Sequence, residues 1–316
     1  MPGVAAIIVT YNRKEKLRRC IRAVLAQDSE LLPDIFIVDN NSSDGTEEEV
    51  RKLSSEVPGR IIYENLRHNS GGAGGFCYGV RKAAEAGYDY LWLMDDDCIP
   101  SETALQRLLG YAGEHRGDFG FLSSRVNWTD GSPHHMNVQR ETLTRNVTDW
   151  DRDETDIVMA SFVSLFIPAK VVMDIGLPIR EFFIWTDDWE FTRRISRKYP
   201  CRLIASSVVT HDTGENAAAD ISSAKEESID RFRYLYRNDV YLYRREGLKG
   251  FCYEAARLCL HTGRIAAGKL SLKEKCRRIS ILIRGTAEGL RFYPVPDRVY
   301  APDELTEVMR GSLSDG

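Results

Sequence analysis

Val4-Ala5-Ala6-Ile7-Ile8-Val9-Thr10-Tyr11-Asn12-Arg13 decides how this chain is read. Its first seven residues form an unbroken apolar run, which suits a strand buried on both faces, as in parallel sheets. A helix is expected from about Lys14 to Ala26, because Leu17, Cys20, Ile21, Val24 and Leu25 recur at helical spacing. Ile35-Phe36-Ile37-Val38 reads as the second strand, and the polar loop after it, Asp39 to Thr46, supplies a cap for the next helix. A third strand covers Ile61 to about Glu64. A glycine-rich turn follows, then a helix from Phe76 to Ala86. The fourth strand, Tyr90-Leu91-Trp92-Leu93-Met94, runs directly into Asp95-Asp96-Asp97. Strand alternating with helix in this way predicts βαβ units and a parallel sheet, hence an α/β fold.

Beyond Asp97 polar loops dominate from Asn127 to Asp156. A strand is expected over Ile157 to Ile167, a helix from Pro168 to Gly176, another over Glu190 to Lys198, and a strand over Arg202 to Val209. From about Ser223 the pattern is helical. The expected organisation is one α/β domain over 1–215 and a helical carboxyl-terminal region over 216–316.

Composition narrows the class. In 316 residues, 43% apolar and 28% charged, no apolar run reaches the length of about 20 residues that a membrane-spanning helix needs. The amino terminus shows no basic region or cleavage site, so no secretory signal is expected and the expected location is the cytoplasm. Seven scattered cysteines include no C-x-x-C pair and read as small buried residues in a reducing compartment. A net charge of −4 argues against nucleic acid as a partner. That average hides an asymmetry: residues 249–291 hold ten Lys/Arg against three Glu, which leaves the remainder at −11.

Ligands of open α/β sheets bind at the carboxyl ends of the strands, so the polar residues there are the candidates. They are Thr10-Tyr11-Asn12-Arg13, Asp39-Asn40-Asn41, the run from Asn69 to Phe76, and Asp95-Asp96-Asp97. Three adjacent carboxylates repel one another unless a cation is present, and Mg²⁺ or Mn²⁺ bridging carboxylates to phosphates meets that need. The alternative is an acidic loop capping the helix near Ser101. Gly74 and Gly75 precede the expected helix, where glycines allow close backbone approach to an anion at the helix amino terminus. The run lacks the dinucleotide and P-loop spacings. Asp187 and Asp188, within Trp185-Thr186-Asp187-Asp188-Trp189-Glu190, open a helix and read either as caps or as a general base. His211 ends a strand and gains weight as a metal ligand beside the triplet.

These motifs resemble glycosyltransferase family 2, and within it the bacterial galactofuranosyltransferase-like and rhamnosyltransferase-like members. The resemblance runs from Val4 to His211 on Val-Thr-Tyr-Asn-Arg at 9–13, Val-Asp-Asn-Asn-Ser-Ser-Asp-Gly-Thr at 38–46, Asp-Asp-Asp at 95–97 and Asp-Asp-Trp-Glu at 187–190, with a weaker echo at 231–238. It implies a GT-A fold, Rossmann-like, with a mostly parallel central sheet flanked by helices. It also implies inverting, Mn²⁺- or Mg²⁺-dependent transfer of a sugar from a nucleotide diphosphate donor to a glycan or lipid-linked glycan in bacterial surface polysaccharide synthesis. Thr10, Asn12, Arg13, Asp39, Asn41, Asn69, Gly74, Gly75, Asp95 and Asp96 would then line the donor pocket. Asp95, Asp97 and His211 would hold the metal, Asp188 would be the base with Asp187 as runner-up, and Trp185 and Glu190 would meet the acceptor. The Asn69–Phe76 run leans toward UDP-galactofuranose as donor, with dTDP-rhamnose as the alternative. A rival of another class is a non-catalytic sugar-nucleotide-binding protein. The basic segment 249–291 is expected to rest on the anionic inner face of a membrane; a solvated helical face or an oligomer contact is the competing reading.

Overall fold

The computed structural model describes residues 3–299. Its helices and strands alternate at first as expected: β1 (Val4–Thr10), α1 (Lys14–Leu25), β2 (Asp34–Asp39), α2 (Thr46–Glu56), β3 (Ile61–Asn65), α3 (Gly71–Glu85) and β4 (Tyr90–Asp95). Then come β5 (Cys98–Pro100), α4 (Ala104–Glu114), β6 (Leu122–Asn127), β7 (Glu154–Asp156), β8 (Leu165–Pro168), α5 (Ala169–Ile175), α6 (Asp187–Ser196) and β9 (Arg202–His211). Three helices follow, α7 (Phe232–Arg244), α8 (Gly247–Ala267) and α9 (Leu272–Gly289).

The strands form one sheet in the order β3-β2-β1-β4-β8-β6-β9-β5, with β7 also on β9. β1 pairs in parallel with both β2 and β4, so the chain leaves β1 first to one side and then to the other. That reversal opens a crevice at the carboxyl ends of β1 and β4, where Thr10 and Asp95 stand. The apolar run of β1 is buried on both faces, and its alternation divides the core. Val4, Ala6 and Ile8 pack with α1, α2 and α4. Ala5, Ile7 and Val9 pack with α3, α5 and α6.

Two expectations are corrected. The glycine run is not a turn ahead of a helix at Phe76, because α3 already begins at Gly71. A Cβ on Gly75 would stand 2.5 Å from Val9 Cγ1, and one on Gly79 2.5 Å from Ile7 Cγ2, so these glycines let α3 lie directly on β1. The expected strand 157–167 is also reduced to β7 before it and β8 at its end. The residues between are mostly buried without being extended in the sheet, and burial alone produced their apolar run.

Candidate active site

Cys98↔His211 register brings the two ends of the site together. β5 turns back from β4 through Asp96-Asp97 and pairs antiparallel with the end of β9. The amide of Asp212 donates to the Asp97 carbonyl at 2.9 Å. His211 Nε2 then lies 2.9 Å from Asp97 Oδ1, and its Nδ1 is 2.8 Å from Asn137 Oδ1. An imidazole held at one nitrogen by an amide presents the other in a set direction. Asp95, Asp97 and His211 each offer a ligand atom, all within 4.8 Å of one another. Two carboxylates and an imidazole are ligands of divalent cations, so the donor set fits the expectation of one.

Positive charge also reaches this cluster from α1. Arg13 Nη1 lies 2.9 Å from Asp97 Oδ2 and 3.2 Å from Asp96 Oδ1, while Lys16 Nζ is 3.3 Å from Asp97 Oδ2. The Thr10 hydroxyl donates to Asp96 Oδ2 at 2.8 Å. The carboxyls respond differently. Burial pushes Asp96 up to about 6 against the pull of Arg13. Burial acts on Asp97 in the same direction, but His211, Arg13 and Lys16 outweigh it and hold the group at about 2. None of the three aspartates caps α4, which follows Thr103.

Asn12 and Asp39 organise the neighbouring loops. The Asn12 amide donates to Ser42 Oγ at 2.8 Å and its Oδ1 accepts from the Ser43 amide at 2.7 Å, which ties the loop after β1 to that after β2. Asp39 is fully buried and accepts from Ser42 and from the Tyr63 hydroxyl at 2.5 Å. Asn41 is exposed in a left-handed conformation. Asn69 accepts from the Gly71 amide at 2.9 Å. Gly74 and Gly75 are buried within α3, where a Cβ would meet Ser70 or Val9, so packing accounts for both.

Asp187 and Asp188 begin α6. Burial raises both carboxyls above the usual range, and Asp95 lies near enough for its charge to add to the effect. Asp188 Oδ1 accepts from the Trp189 amide at 2.7 Å. The segment before them is unusual, since Phe183, Trp185 and Thr186 all have φ near +65°. Non-glycine residues hold such a conformation only when surroundings impose it, at a cost of ~1–3 kcal/mol each. Here α7 imposes it. Asn238 Nδ2 donates to the carbonyls of Phe182, Ile184 and Trp185 at 2.9–3.1 Å, and the Thr186 hydroxyl donates to Asp239 Oδ1 at 2.7 Å. Trp185 is half-buried with its ring edge-on to Phe232. Both oxygens of Glu190 are taken by Arg194, at 3.0 and 2.9 Å.

Sequence reading missed Lys16, Asn137, Asn238 and Asp239. Asn238 lay at the end of the segment 231–238 already noted, and an Asn-Asp pair inside a helix that is otherwise aromatic and basic was the available signal. Lys16 and Asn137 reach the site only through tertiary contacts.

The sheet, with its acidic crevice at the carboxyl ends of β1 and β4, has the GT-A fold. Residues 5–176 match the profile of Glycosyl transferase family 2, and the chain belongs to that family. Galactofuranosyltransferase GlfT1 of Mycolicibacterium smegmatis is 30% identical over 263 residues, 78% of this chain and 84% of that protein. GlfT1 of Mycobacterium tuberculosis is 28% identical over 270 residues with the same coverage. Among solved structures, GalNAc-T7 with UDP, GalNAc and Mn²⁺ aligns with a TM-score of 0.57 over 78% of this chain and 52% of that one, at 14% identity. S. aureus TarS 1–349 in complex with UDP aligns at 0.52 over 89% and 70%, at 16% identity. These two share the fold. Among the described residues, no helix is long and apolar enough to cross a membrane.

Proposed function

We propose that the chain transfers galactofuranose from UDP-galactofuranose to a hydroxyl of a glycan or lipid-linked glycan, with inversion at the anomeric carbon. The observation that carries this reading is the meeting of the Asp95–Asp97–His211 cluster and the pair of buried Asp187 and half-buried Asp188 at the carboxyl edge of the sheet. Galactofuranosyltransferases among the relatives supply the lean in donor.

Asp95, Asp97 and His211 would hold the divalent cation, Mn²⁺ or Mg²⁺, whose charge would stabilise a departing nucleoside diphosphate. Arg13 and Lys16, already drawn to Asp97, add fixed positive charge on the same side. Thr10, Asn12, Arg13, Asp39, Asn41, Asn69 and Asp96 border the crevice for the nucleotide. Asp188 removes the proton of the acceptor hydroxyl as that oxygen attacks the anomeric carbon from the side opposite the leaving group. A half-buried carboxylate of raised pKa suits this role, because it holds the incoming proton more firmly than a free aspartate does. Trp185 offers an aromatic face for the sugar beside it. Since Arg194 takes both oxygens of Glu190, we assign that residue to the support of α6 in place of acceptor contact.

The test is a panel of sugar nucleotides incubated with Mn²⁺, followed by NMR of the transferred sugar. UDP-galactofuranose should be consumed and the product should have inverted configuration. Retention of configuration would eliminate the direct displacement.

A further inference from the structure

Eleven large apolar side chains are exposed among the described residues, and eight of them lie between Leu248 and Val295, on or just after the last two helices. A segment of this length should carry only its share, so the concentration calls for a cause. Helix α8 buries Gly250, Glu254, His261 and Ile265. On its opposite side Leu248, Cys252, Ala255 and Cys259 stand at helical spacing, all exposed, with Leu248 at 78%. Helix α9 repeats the arrangement. It buries Arg278, Leu282, Gly285 and Gly289, and turns Leu272, Cys276, Ile283, Ala287 and Leu290 outward.

Beside that second stripe runs a row of cations, Lys273, Arg277, Arg284 and Arg291, each one residue after a member of the apolar row. Lys273, Arg284 and Arg291 form no ion pair among the described residues. Arg284 and Arg291 also line a groove of about 660 Å³ with Arg233 and Arg237 of α7, floored by Leu290 and Phe292. Glu288, which also lines the groove, pairs with Arg233, and Arg237 is held by the carbonyls of Glu181 and Phe182, so Arg284 and Arg291 are the guanidinium groups open to a ligand; two of these beside an apolar floor match a phosphate group attached to hydrocarbon.

We propose that this outward face of α8 and α9 docks on an anionic phospholipid bilayer, lying in its interface, with lipid phosphates entering the arginine groove. Charge selects this occupant. Lys273, Arg284 and Arg291 are exposed beside the apolar rows and form no ion pair among the described residues, so a second copy meeting the face symmetrically would oppose like charges. Nucleic acid would satisfy the cations and leave the aliphatic rows exposed to water. An anionic bilayer receives both, the aliphatic rows below the headgroups and the cations among them. The proposal stands on this face alone and is independent of the donor sugar.

The chain carries its own reporters for a test. Cys252, Cys259 and Cys276 are exposed and lie on the two apolar rows, whereas Cys20, Cys77, Cys98 and Cys201 are buried. The full chain is labelled with N-ethylmaleimide and the modified thiols are counted by mass spectrometry, with and without phosphatidylcholine vesicles containing phosphatidylglycerol. Labelling of the three thiols should slow on the order of 10-fold with anionic vesicles at low salt, and recover in high salt or with phosphatidylcholine alone. Arg284→Ala with Arg291→Ala should weaken vesicle partitioning on the order of 30-fold, with donor hydrolysis unchanged as proof of folding. Unchanged labelling with anionic vesicles would overturn the proposal. So would equal protection by neutral vesicles, or protection by self-association seen in sedimentation without any vesicle.

Discussion

Asp188 and Asp187 are adjacent carboxylates at the first turn of a helix, where the helix dipole favours their ionised forms. Burial acts against it and prevails, so both are raised. A base must be unprotonated to act, and a raised pKa moves the acidic limb of the rate profile upward. We therefore expect kcat/KM to fall as pH decreases through a value clearly above the ordinary aspartate range of about 4, which a pH–rate profile would record. Asp188→Asn should lower kcat by roughly 10²–10⁴-fold with little change in donor affinity, measured by steady-state kinetics and calorimetry. Similar loss for Asp187→Asn with Asp188→Asn near normal would reassign the base. These aspartates and the Asp95–Asp97 triplet were legible in the sequence because carboxylates crowded at element ends need a reason. Lys16 was not legible, since one lysine on an amphipathic helix is ordinary until folding brings Asp97 beside it.

Helix α7 governs the geometry of that base through the segment before α6. Three carbonyls converge on one Asn238 amide, and Thr186 directs its hydroxyl to Asp239 rather than to a helix cap. Asn238→Ala should release the segment and lower kcat by roughly 10–100-fold, because small displacements of a catalytic group are costly. Donor binding measured by calorimetry should stay within about threefold of the native value. Helix α3 gives a contrasting case in which the effect is on stability. Gly79→Val places its Cβ against Ile7 and Val38 and should cost about 1–3 kcal/mol, seen as a lower urea midpoint. Strand runs and amphipathic spacing made β1, α1, β2 and β4 legible. The left-handed residues at 183, 185 and 186 left no such mark, since their conformation is imposed by side chains fifty residues away. The 157–167 run misled for a related reason: apolar composition reports burial and not extension.

Across the whole molecule, the site depends on a sheet that brings β4 and the end of β9 together although 114 residues separate Asp97 from His211. The parallel half was readable from alternation, and the order of β8, β6, β9 and β5 required the structure. The C-terminal helices connect to this site through Asn238 and Asp239, and present their opposite side outward. If Asp95, Asp97 and His211 hold a required cation, a chelator should reduce transfer on the order of 100-fold or more, and added Mn²⁺ should restore it. His211→Ala should raise the Mn²⁺ concentration needed for half-maximal rate, measured by metal titration. The decisive measurement is the rate of UDP release from UDP-galactofuranose in the presence of a glycan acceptor, with Mn²⁺ and with EDTA, against dTDP-rhamnose under the same conditions. Turnover of UDP-galactofuranose should be metal-dependent and at least ~10-fold faster than that of dTDP-rhamnose, a discrimination that nucleotide and sugar contacts readily provide. Turnover that is equal in EDTA, or faster with dTDP-rhamnose, would contradict it.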